Sequence, residues 1–456
     1  MGIVDDNRRR PTEEMMDLAC VQPWSRRRVE FGVLLCVASS AAVAQSAAPA
    51  AEPTAGAPDP SPYYIGASEA ITHDSNVYRI PSGPGDTYST TSVFGGFDQR
   101  ISRQRVFGIA TVGLNRYYDQ SKLDNTSYDL AAGLNWETIG KLSGDVKVGL
   151  KQLLAAPAAS AGQPIADRNL AKTQTIAAHG RWGGGSLLSL EGGYDWSSLD
   201  YSAPEHASSE STWESGSLAL FYRPGGALRL GAGVHIDRTR TPKALFDPVA
   251  GTYQSNTVHG RNIDLLADYN LSDYFIANAR LSFTHQTNSA LEGANFSGVT
   301  GQIGAKWRPT SRLSFNGYLA RDAGFDSAFG SNPNVTLPGG GNGGVTPSTA
   351  LYENNRITNM LDLGASYSVT AKIDATAGAH YSRATVVVTS SAGAAGTPLP
   401  EAIDVMKSAY VGVDYAFLRS WSAACRLGRE TRTVSGGVSY AYASNSIGCS
   451  TKLVFR

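Results

Sequence analysis

Residues 228–237 read Leu-Arg-Leu-Gly-Ala-Gly-Val-His-Ile-Asp, so an apolar residue occupies every even position and a polar residue or glycine every odd one. Successive side chains of a β-strand point to opposite faces, and the pattern therefore predicts a strand with one apolar and one polar face. The same alternation is present in residues 142–151 and 275–284. Each run is long enough for a tilted strand to cross a bilayer, which takes about 9–11 residues.

The composition fits a membrane protein built from strands. Charged residues make up 17% of the 456-residue chain, against about 25% in an ordinary soluble protein, and the chain contains 49 glycines and 21 tyrosines. Beyond the N-terminal region, no segment approaches the roughly 20 apolar residues that a membrane-spanning helix needs. The 39 basic and 39 acidic residues leave no basic excess for binding nucleic acid. We therefore expect a transmembrane β-barrel.

The connections between the strands alternate in length. Very short links near residues 101, 140, 184, 225, 272, 310, 371 and 419 alternate with longer polar segments such as 155–168, 199–210, 240–256, 324–355 and 389–402. Outer-membrane barrels show this rhythm, with short periplasmic turns and long outer loops. We predict an all-β, antiparallel up-and-down barrel of about eighteen strands. Sixteen strands are the alternative, because the first two strands alternate poorly.

The N-terminal region has the features of a secretory signal peptide. Three arginines, Arg26 to Arg28, precede an uncharged stretch that ends in Ala42-Val43-Ala44. We assign residues 1–44 to a signal peptide and residues 45–62, rich in Ala and Pro, to an extended periplasmic linker. Residues 63–456 then form the barrel, in the outer membrane of a Gram-negative cell.

Aromatic residues and the final strand support this interpretation. Six tryptophans lie beside short turns or flank a long loop: Trp136, Trp182, Trp196, Trp213, Trp307 and Trp421. Their positions predict two aromatic girdles at the membrane interfaces. The last strand places Ile447, Leu453 and Phe455 on one face, close to the pattern that the barrel-assembly machinery recognises, although the chain continues to Arg456. We expect that machinery and outer-membrane lipids to be partners.

Several short motifs resemble a known family. They are Ser61-Pro62-Tyr63-Tyr64, Asp74-Ser75-Asn76-Val77-Tyr78-Arg79, Ser102-Arg103-Gln104-Arg105 and Gly428-Arg429-Glu430-Thr431-Arg432. With the strand rhythm, residues 61–456 resemble the outer-membrane barrels of exosortase-type exopolysaccharide systems, often called EpsL-type. The resemblance implies a pore through which a newly made extracellular polysaccharide leaves the cell, with periplasmic export components as further partners. A general diffusion porin or small-solute channel is the alternative, since both need the same barrel wall.

The polar face of the strands predicts the lining of the lumen. A closed barrel of about eighteen strands leaves a water-filled channel, whereas charged groups facing lipid are destabilising. By alternation, ten ionisable residues are candidates for lining that channel: Asp145, Lys147, Lys151, Arg229, Asp237, Arg280, Lys306, Asp374, Asp414 and Arg426. This mixture of both signs suits weak contacts at many points with hydroxylated or ionic solutes.

No catalytic or metal-binding motif is present in the sequence. The seven histidines are scattered, and neither HExxH nor Gly-x-Ser-x-Gly occurs. The competing interpretation, an outer-membrane lipase or protease, needs a Ser/His or Asp/His constellation at the outer rim. We therefore predict that the protein is not an enzyme and uses no cofactor or metal.

The longest segment without alternation is 324–355, which is rich in Gly and Asn. Segments of this length between two strands are usually functional or disordered. The segment could fold inward or extend outside the barrel, and we predict that it folds inward and narrows the pore.

Two cysteines, Cys425 and Cys449, lie outside the predicted signal peptide, which contains the other two. If the last hairpin is symmetric about Gly437, both lie twelve residues from its centre and face each other. Directly opposed residues on antiparallel strands have Cβ atoms about 4.5–5.5 Å apart, and the periplasm is oxidising. We predict a disulfide between them; the alternative is two unbonded small residues facing lipid.

Overall fold

The computed structural model describes residues 61–155, 168–247, 251–272, 274–290, 295–323, 356–386, 402–435 and 440–456. They form eighteen strands: β1 Tyr63–Asp74, β2 Asp86–Ile101, β3 Gln104–Tyr117, β4 Asn125–Glu137, β5 Leu142–Leu154, β6 Leu170–Trp182, β7 Leu188–Tyr201, β8 Ser211–Gly225, β9 Leu228–Asp247, β10 Thr252–Asn270, β11 Phe275–Asn288, β12 Phe296–Trp307, β13 Leu313–Ala323, β14 Arg356–Ser368, β15 Ile373–Val386, β16 Ala402–Ala416, β17 Trp421–Val434 and β18 Tyr442–Phe455. The predicted signal peptide, residues 45–60 of the predicted linker and segment 324–355 lie outside the described residues.

The sheet closes on itself into a barrel. Each strand runs antiparallel to the next, and β1 pairs with β2 on one side and with β18 on the other. The closing register runs from Ile65 opposite Phe455 to Asp74 opposite Ser446. The prediction of eighteen strands is confirmed and the sixteen-strand alternative is wrong. Strand β1 alternates poorly because it carries Ala70 inside and Glu69 outside, but its pairing is continuous.

The start of the first strand and the finish of the last strand both lie at the end of the barrel that carries the short turns. Strand β1 begins there, β18 finishes there, and the links from β2 to β3 and from β8 to β9 are among its tight turns. Gly226 in the second of these turns has a φ of 59°, in the left-handed region that favours glycine. The longer loops join the strands at the opposite end, which is the arrangement of periplasmic turns and outer loops.

One predicted loop is strand instead. Strands β9 and β10 stay paired as far as Asp247 opposite Thr252, with a register shift between Gln254 and Asn256. The prediction of a long polar loop at 240–256 is therefore wrong. A hairpin that extends beyond the bilayer needs no apolar face, and so its polar composition did not distinguish it from a loop.

Burial is inverted relative to a soluble protein. In β9, Val234 and Ile236 are 55% and 64% exposed, whereas His235 and Asp237 are 5% and 6% exposed. The apolar set therefore faces outwards and the polar set faces the lumen. A closed sheet leaves no unpaired edge, and an apolar exterior suits hydrocarbon. The protein is an outer-membrane β-barrel. No helix in the described residues is long and apolar enough to span a bilayer.

The tryptophans form girdles with one exception. Trp182, Trp307 and Trp421 are exposed on the outer surface near the short turns. Trp213 is buried, and its partners Ser197 and Thr239 are buried on the inner face as well. The prediction of an interfacial position is wrong for Trp213, because the exposed apolar residues Leu218 and Leu220 of β8 take even positions and this odd position faces the lumen.

Two adjacent residues of β3 test which face meets lipid. Val112 points outwards and Thr111, opposite Phe94 and Asp129, points inwards. We expect Val112→Lys to lower the free energy of unfolding by about 2 kcal/mol, because an ammonium group on the lipid face is costly. Thr111→Lys should change it little, since the lumen is hydrated and Asp129 lies opposite. Urea unfolding from lipid vesicles measures both, and equal losses would contradict the assignment of faces.

Candidate functional site

Hydroxyl and amide side chains line the lumen. Thr90 donates a hydrogen bond of 2.8 Å to the Asn115 side-chain oxygen, and Asn115 Nδ2 donates to Asn125 Oδ1 at 2.9 Å. On the opposite side of the wall, the hydroxyl oxygens of Thr284 and Thr300 lie 2.8 Å apart. Further buried members of this inner face are Thr72, Ser92, Thr173, Asn262, Ser282 and Ser382. The wall therefore offers many neutral donors and acceptors.

The structure places all ten predicted lumen residues at inward register positions. Three of them are on β5, where the Lys147 ammonium lies 3.4 Å from Asp145 Oδ2 and the Lys151 ammonium 3.5 Å from Asp129 Oδ2. His179 on β6 lies between two carboxylates: Nδ1 is 3.3 Å from Asp145 and Nε2 is 3.4 Å from Asp195. The charges on this part of the wall therefore neutralise each other locally.

Arg229 is the centre of a second group. Its guanidinium contacts the Glu191 carboxylate, and Nη2 lies 2.6 Å from Asp268 Oδ2. The guanidinium carbon is 3.9 Å from the centre of the Phe221 ring, in the position of a cation–π contact. Arg181 shares Glu191, with Nε 2.5 Å from Oε1. Both arginines are thus held against the wall by acidic neighbours.

Asp237 lies beside a cluster that superficially resembles a catalytic triad. Asp237 Oδ1 accepts a 2.8 Å hydrogen bond from Asn262. Next to it, Asp264 accepts a hydrogen bond from Ser282 Oγ at 2.6 Å and lies 2.6 Å from His235 Nδ1. In a triad the histidine stands between the serine and the carboxylate, so that it can take the serine proton. Here the carboxylate is in the middle, and the arrangement does not activate Ser282.

The remaining candidates lie on β11, β12 and β15 to β17. Asp374 accepts a 2.6 Å hydrogen bond from the Ser368 hydroxyl, and Asp414 Oδ1 lies 4.0 Å from Arg426 Nη2. Arg280 faces Gln302, and Lys306 is opposite Asn316. The ten residues are therefore spread around the wall in separate groups and do not form one site.

The structure also assembles one site, which we term the mouth site, that the sequence pattern did not predict. The connection between β1 and β2, residues 75–85, which we term the mouth loop, lies at the outer end of the barrel. Arg79 of this loop is buried, with Nη2 2.8 Å from Asp74 Oδ2 and Nε 3.2 Å from Glu430 Oε1. The Tyr442 hydroxyl donates to the same Glu430 oxygen at 2.5 Å. Burial alone would lower the pKa of Arg79, but Glu430 and Asp74 raise it above its ordinary value, so the side chain stays charged.

Asn76 attaches the mouth loop to the closing strand. Its Nδ2 donates to the carbonyl oxygens of Ile80 at 2.7 Å and Ala443 at 3.2 Å, and its own backbone N–H donates to Asp74 Oδ1 at 2.9 Å. The Ser75 N–H donates to the Asn445 carbonyl at 2.9 Å. These bonds fix the loop against β18.

Tyr78 attaches the mouth loop on its other side. The ring packs in a buried cluster with Leu123, which follows β3, and Leu154, the last residue of β5. Its hydroxyl donates to Gln120 Oε1 at 2.9 Å. Through Arg79 and Tyr78, the loop therefore bridges the rim from β17 to β5.

The mouth site joins two of the motifs noted in the sequence. Asp74, Asn76 and Arg79 belong to one, and Glu430 and Arg432 belong to the other. Arg432 makes its own buried pair with Asp404, at 2.7 Å from Nη2 to Oδ2. The complementary charges of the two motifs were visible in the sequence, but nothing local indicated that they meet.

The two cysteines lie on the outer surface. Cys425 is directly opposite Cys449 in the β17–β18 register, and a disulfide joins them in the structure. Cys449 shares its face with Ile447 and Leu453, both exposed to the lipid side. The bond ties the closing strand to its neighbour.

A closed eighteen-strand barrel with a polar, charged lumen defines the class of the protein as an outer-membrane channel-type barrel. No family model and no curated protein sequence matches the chain. Among solved structures, it is similar to OccK1 (OpdK) of Pseudomonas aeruginosa at 10% identity and a TM-score of 0.43, over 86% of this chain and 99% of that one.

Two further similar structures are a copper transporter and a siderophore receptor by their names. The copper transporter OprC matches at 10% identity and a TM-score of 0.38, over 88% of this chain and 82% of that one. The siderophore receptor PirA from Acinetobacter baumannii matches at 8% identity and a TM-score of 0.39, over 86% and 80%. At these values the similarity carries no information about what this chain transports.

Proposed function

We propose that this barrel is the outer-membrane exit for a newly made extracellular polysaccharide. The observation that carries the proposal is the lining of the lumen, in which hydroxyl and amide groups alternate with charges that are paired locally. The resemblance of the motifs at 74–79 and 428–432 to exopolysaccharide-system barrels supports the same proposal. The cargo would be the polymer chain, delivered by periplasmic export components.

A wall of this kind suits a moving, hydroxyl-rich polymer. A typical hydrogen bond contributes only about 0.5–1.5 kcal/mol net, because each protein–sugar bond replaces bonds to water. Groups such as Thr284 and Thr300 already bond to each other, at 2.8 Å, and can exchange that bond for one to a sugar hydroxyl. Paired cations such as Arg229 present no isolated charge to hold the chain. Contacts are then numerous and individually weak, so that the polymer does not stick.

Deletion of the gene tests the proposal. We expect surface polysaccharide to fall to the background level, and the gene supplied in trans should restore it. The control is a strain that lacks a polymer-assembling glycosyltransferase, in which both the intracellular and the surface polymer disappear. Unchanged surface polymer in the deletion strain would contradict the proposal.

A diffusion channel for small solutes is the second candidate, and the mouth loop favours it. A loop that Arg79 and Tyr78 hold across the rim would restrict the passage of large solutes more than that of small ones. Normal polymer yield together with a lost uptake of small sugars or ions in the deletion strain would support this candidate. In planar bilayers, soluble oligosaccharides should block the ionic current of a polysaccharide exit, whereas a small-solute channel should conduct without block.

A further inference from the structure

Three exposed cations lie on the outer surface of neighbouring strands. They are Arg383 on β15, Lys407 on β16 and Arg429 on β17, and we call them the basic arc. Each occupies an outward register position, on the same face of its strand as exposed Tyr381, Val411 or Leu427. Charged residues on the lipid face need a specific reason, because they are destabilising in hydrocarbon.

The strands of this barrel are tilted. A row of directly paired residues therefore moves from the periplasmic end towards the outer end with each successive strand. One such row starts at Tyr415, beside a periplasmic turn, and runs through Ala423, Thr451, Glu69, Thr91 and Leu114 to Thr126, at the outer end of β4. This is the expected effect of the strand tilt in a closed barrel. Residues at one membrane level must therefore step towards the periplasm from each strand to the next.

The three cations of the basic arc are offset in this way from one strand to the next. Arg383 is opposite Val405, and Lys407 lies two residues nearer the periplasm than Val405. Lys407 is opposite Thr431, and Arg429 lies two residues nearer the periplasm than Thr431. The three cations therefore lie at about one level of the membrane.

That level is the outer boundary of the apolar band. Arg383 is three residues from the outer end of β15, and Lys407 and Arg429 are each five residues from the outer ends of β16 and β17. Exposed apolar residues, Val411 and Leu427, follow on the periplasmic side. Charges are tolerated at this depth, where the acyl chains meet the headgroups.

Within the described residues, the outward positions of β14 to β18 contain no acidic residue. Two outward cations elsewhere on the barrel do have acidic partners: Arg238 Nη1 lies 3.4 Å from Glu214, and Arg116 Nη1 lies 3.1 Å from Asp124. The Lys407 ammonium lies 6.0 Å from the centre of the Tyr381 ring, and this contact with a neutral ring does not cancel its charge. The basic arc is thus a positive surface at headgroup level.

We propose that the basic arc binds the phosphate groups of a phosphorylated glycolipid in the outer leaflet. Arginine matches phosphate with two parallel hydrogen bonds, and lysine adds a point charge. The acyl chains of the same lipid lie along the apolar surface that includes Leu427 and Val411. The glycolipid bridges β15, β16 and β17 from outside, independently of what passes through the lumen.

Binding of purified bis-phosphorylated lipid A to the detergent-solubilised full barrel tests the proposal by native mass spectrometry. The variant carries Arg383→Gln, Lys407→Gln and Arg429→Gln. We expect its affinity to fall about a hundredfold, because each cation near an anionic lipid surface contributes about fivefold. The matched control carries Arg116→Gln and Arg238→Gln, whose cations are already paired with carboxylates, and should bind like the unaltered barrel.

Dephosphorylated lipid A is the control on the ligand side and should bind the unaltered barrel as weakly as lipid A binds the triple variant. Retention of the heat-modifiable gel shift shows that each variant is folded. Equal affinity of the triple variant and the unaltered barrel for bis-phosphorylated lipid A would overturn the proposal, as would equal binding of the dephosphorylated lipid. Because the basic arc lies outside the barrel, conductance is expected to be the same in all these variants.

Discussion

Replacing Arg79 with Ala is expected to release the mouth loop and raise the single-channel conductance of the barrel. Arg79 is the cation between two buried carboxylates, Asp74 and Glu430. Removing one partner of a buried ion pair costs about 3–5 kcal/mol, because the remaining charge is left unpaired. Here water in the lumen can reach the carboxylates once the loop moves. We therefore expect the loop to detach while the barrel stays folded.

Two measurements check this expectation. Hydrogen exchange should accelerate at the Val77 and Arg79 amides, which donate to the carbonyls of Pro84 and Asn76. Planar-bilayer recordings should show a larger conductance per channel. The matched control is Arg116→Ala, because Arg116 pairs with Asp124 at the rim while its side chain is 65% exposed. Exposed pairs contribute little to stability, and both readouts should be unchanged.

A milder variant removes the charge of only one of the two partners of Arg79. Glu430→Gln keeps the hydrogen-bonding shape and leaves the Arg79–Asp74 pair intact. Its effect on exchange and conductance should lie between those of the control and of Arg79→Ala. If Arg79→Ala leaves both the exchange of the loop and the conductance unchanged, the mouth loop is not held by this ion pair.

Reducing the disulfide between Cys425 and Cys449 is expected to lower the free energy of unfolding of the barrel by about 3 kcal/mol. The two residues are 24 apart in sequence, and a cross-link over that distance restricts the unfolded chain by about this amount in the loop-entropy model. The bond also joins β17 to β18, the strand that closes the barrel against β1. Urea unfolding in lipid vesicles, with and without reductant, measures the difference.

The double variant Cys425→Ser, Cys449→Ser is the control for the reductant. It should unfold at the midpoint of the reduced protein and show no response to reductant. Mass spectrometry of unreduced peptides should recover residues 425 and 449 in one cross-linked species. Free thiols at both positions in the protein from the outer membrane would disprove the disulfide.

The alternation in the sequence was sufficient to determine the architecture. It gave the number of strands and the inward placement of residues such as Asp145 and Arg229, because side-chain direction in a strand follows a local rule with a period of two. The symmetric last hairpin likewise gave the register of Cys425 and Cys449. At Trp213 and in the hairpin at 240–256, the polarity of the residues did not indicate their position in the barrel. The predictions for these two places were therefore wrong.

The mouth site depended on the tertiary structure alone. Arg79 and Glu430 are 351 residues apart in the chain and meet because β1 pairs with β18. The levels of Arg383, Lys407 and Arg429 likewise follow from the tilt and register of their strands, which are properties of the closed sheet. Alternation specifies only which face a residue occupies. Its level in the membrane and its neighbours where β1 meets β18 are set when the eighteen strands close into a barrel.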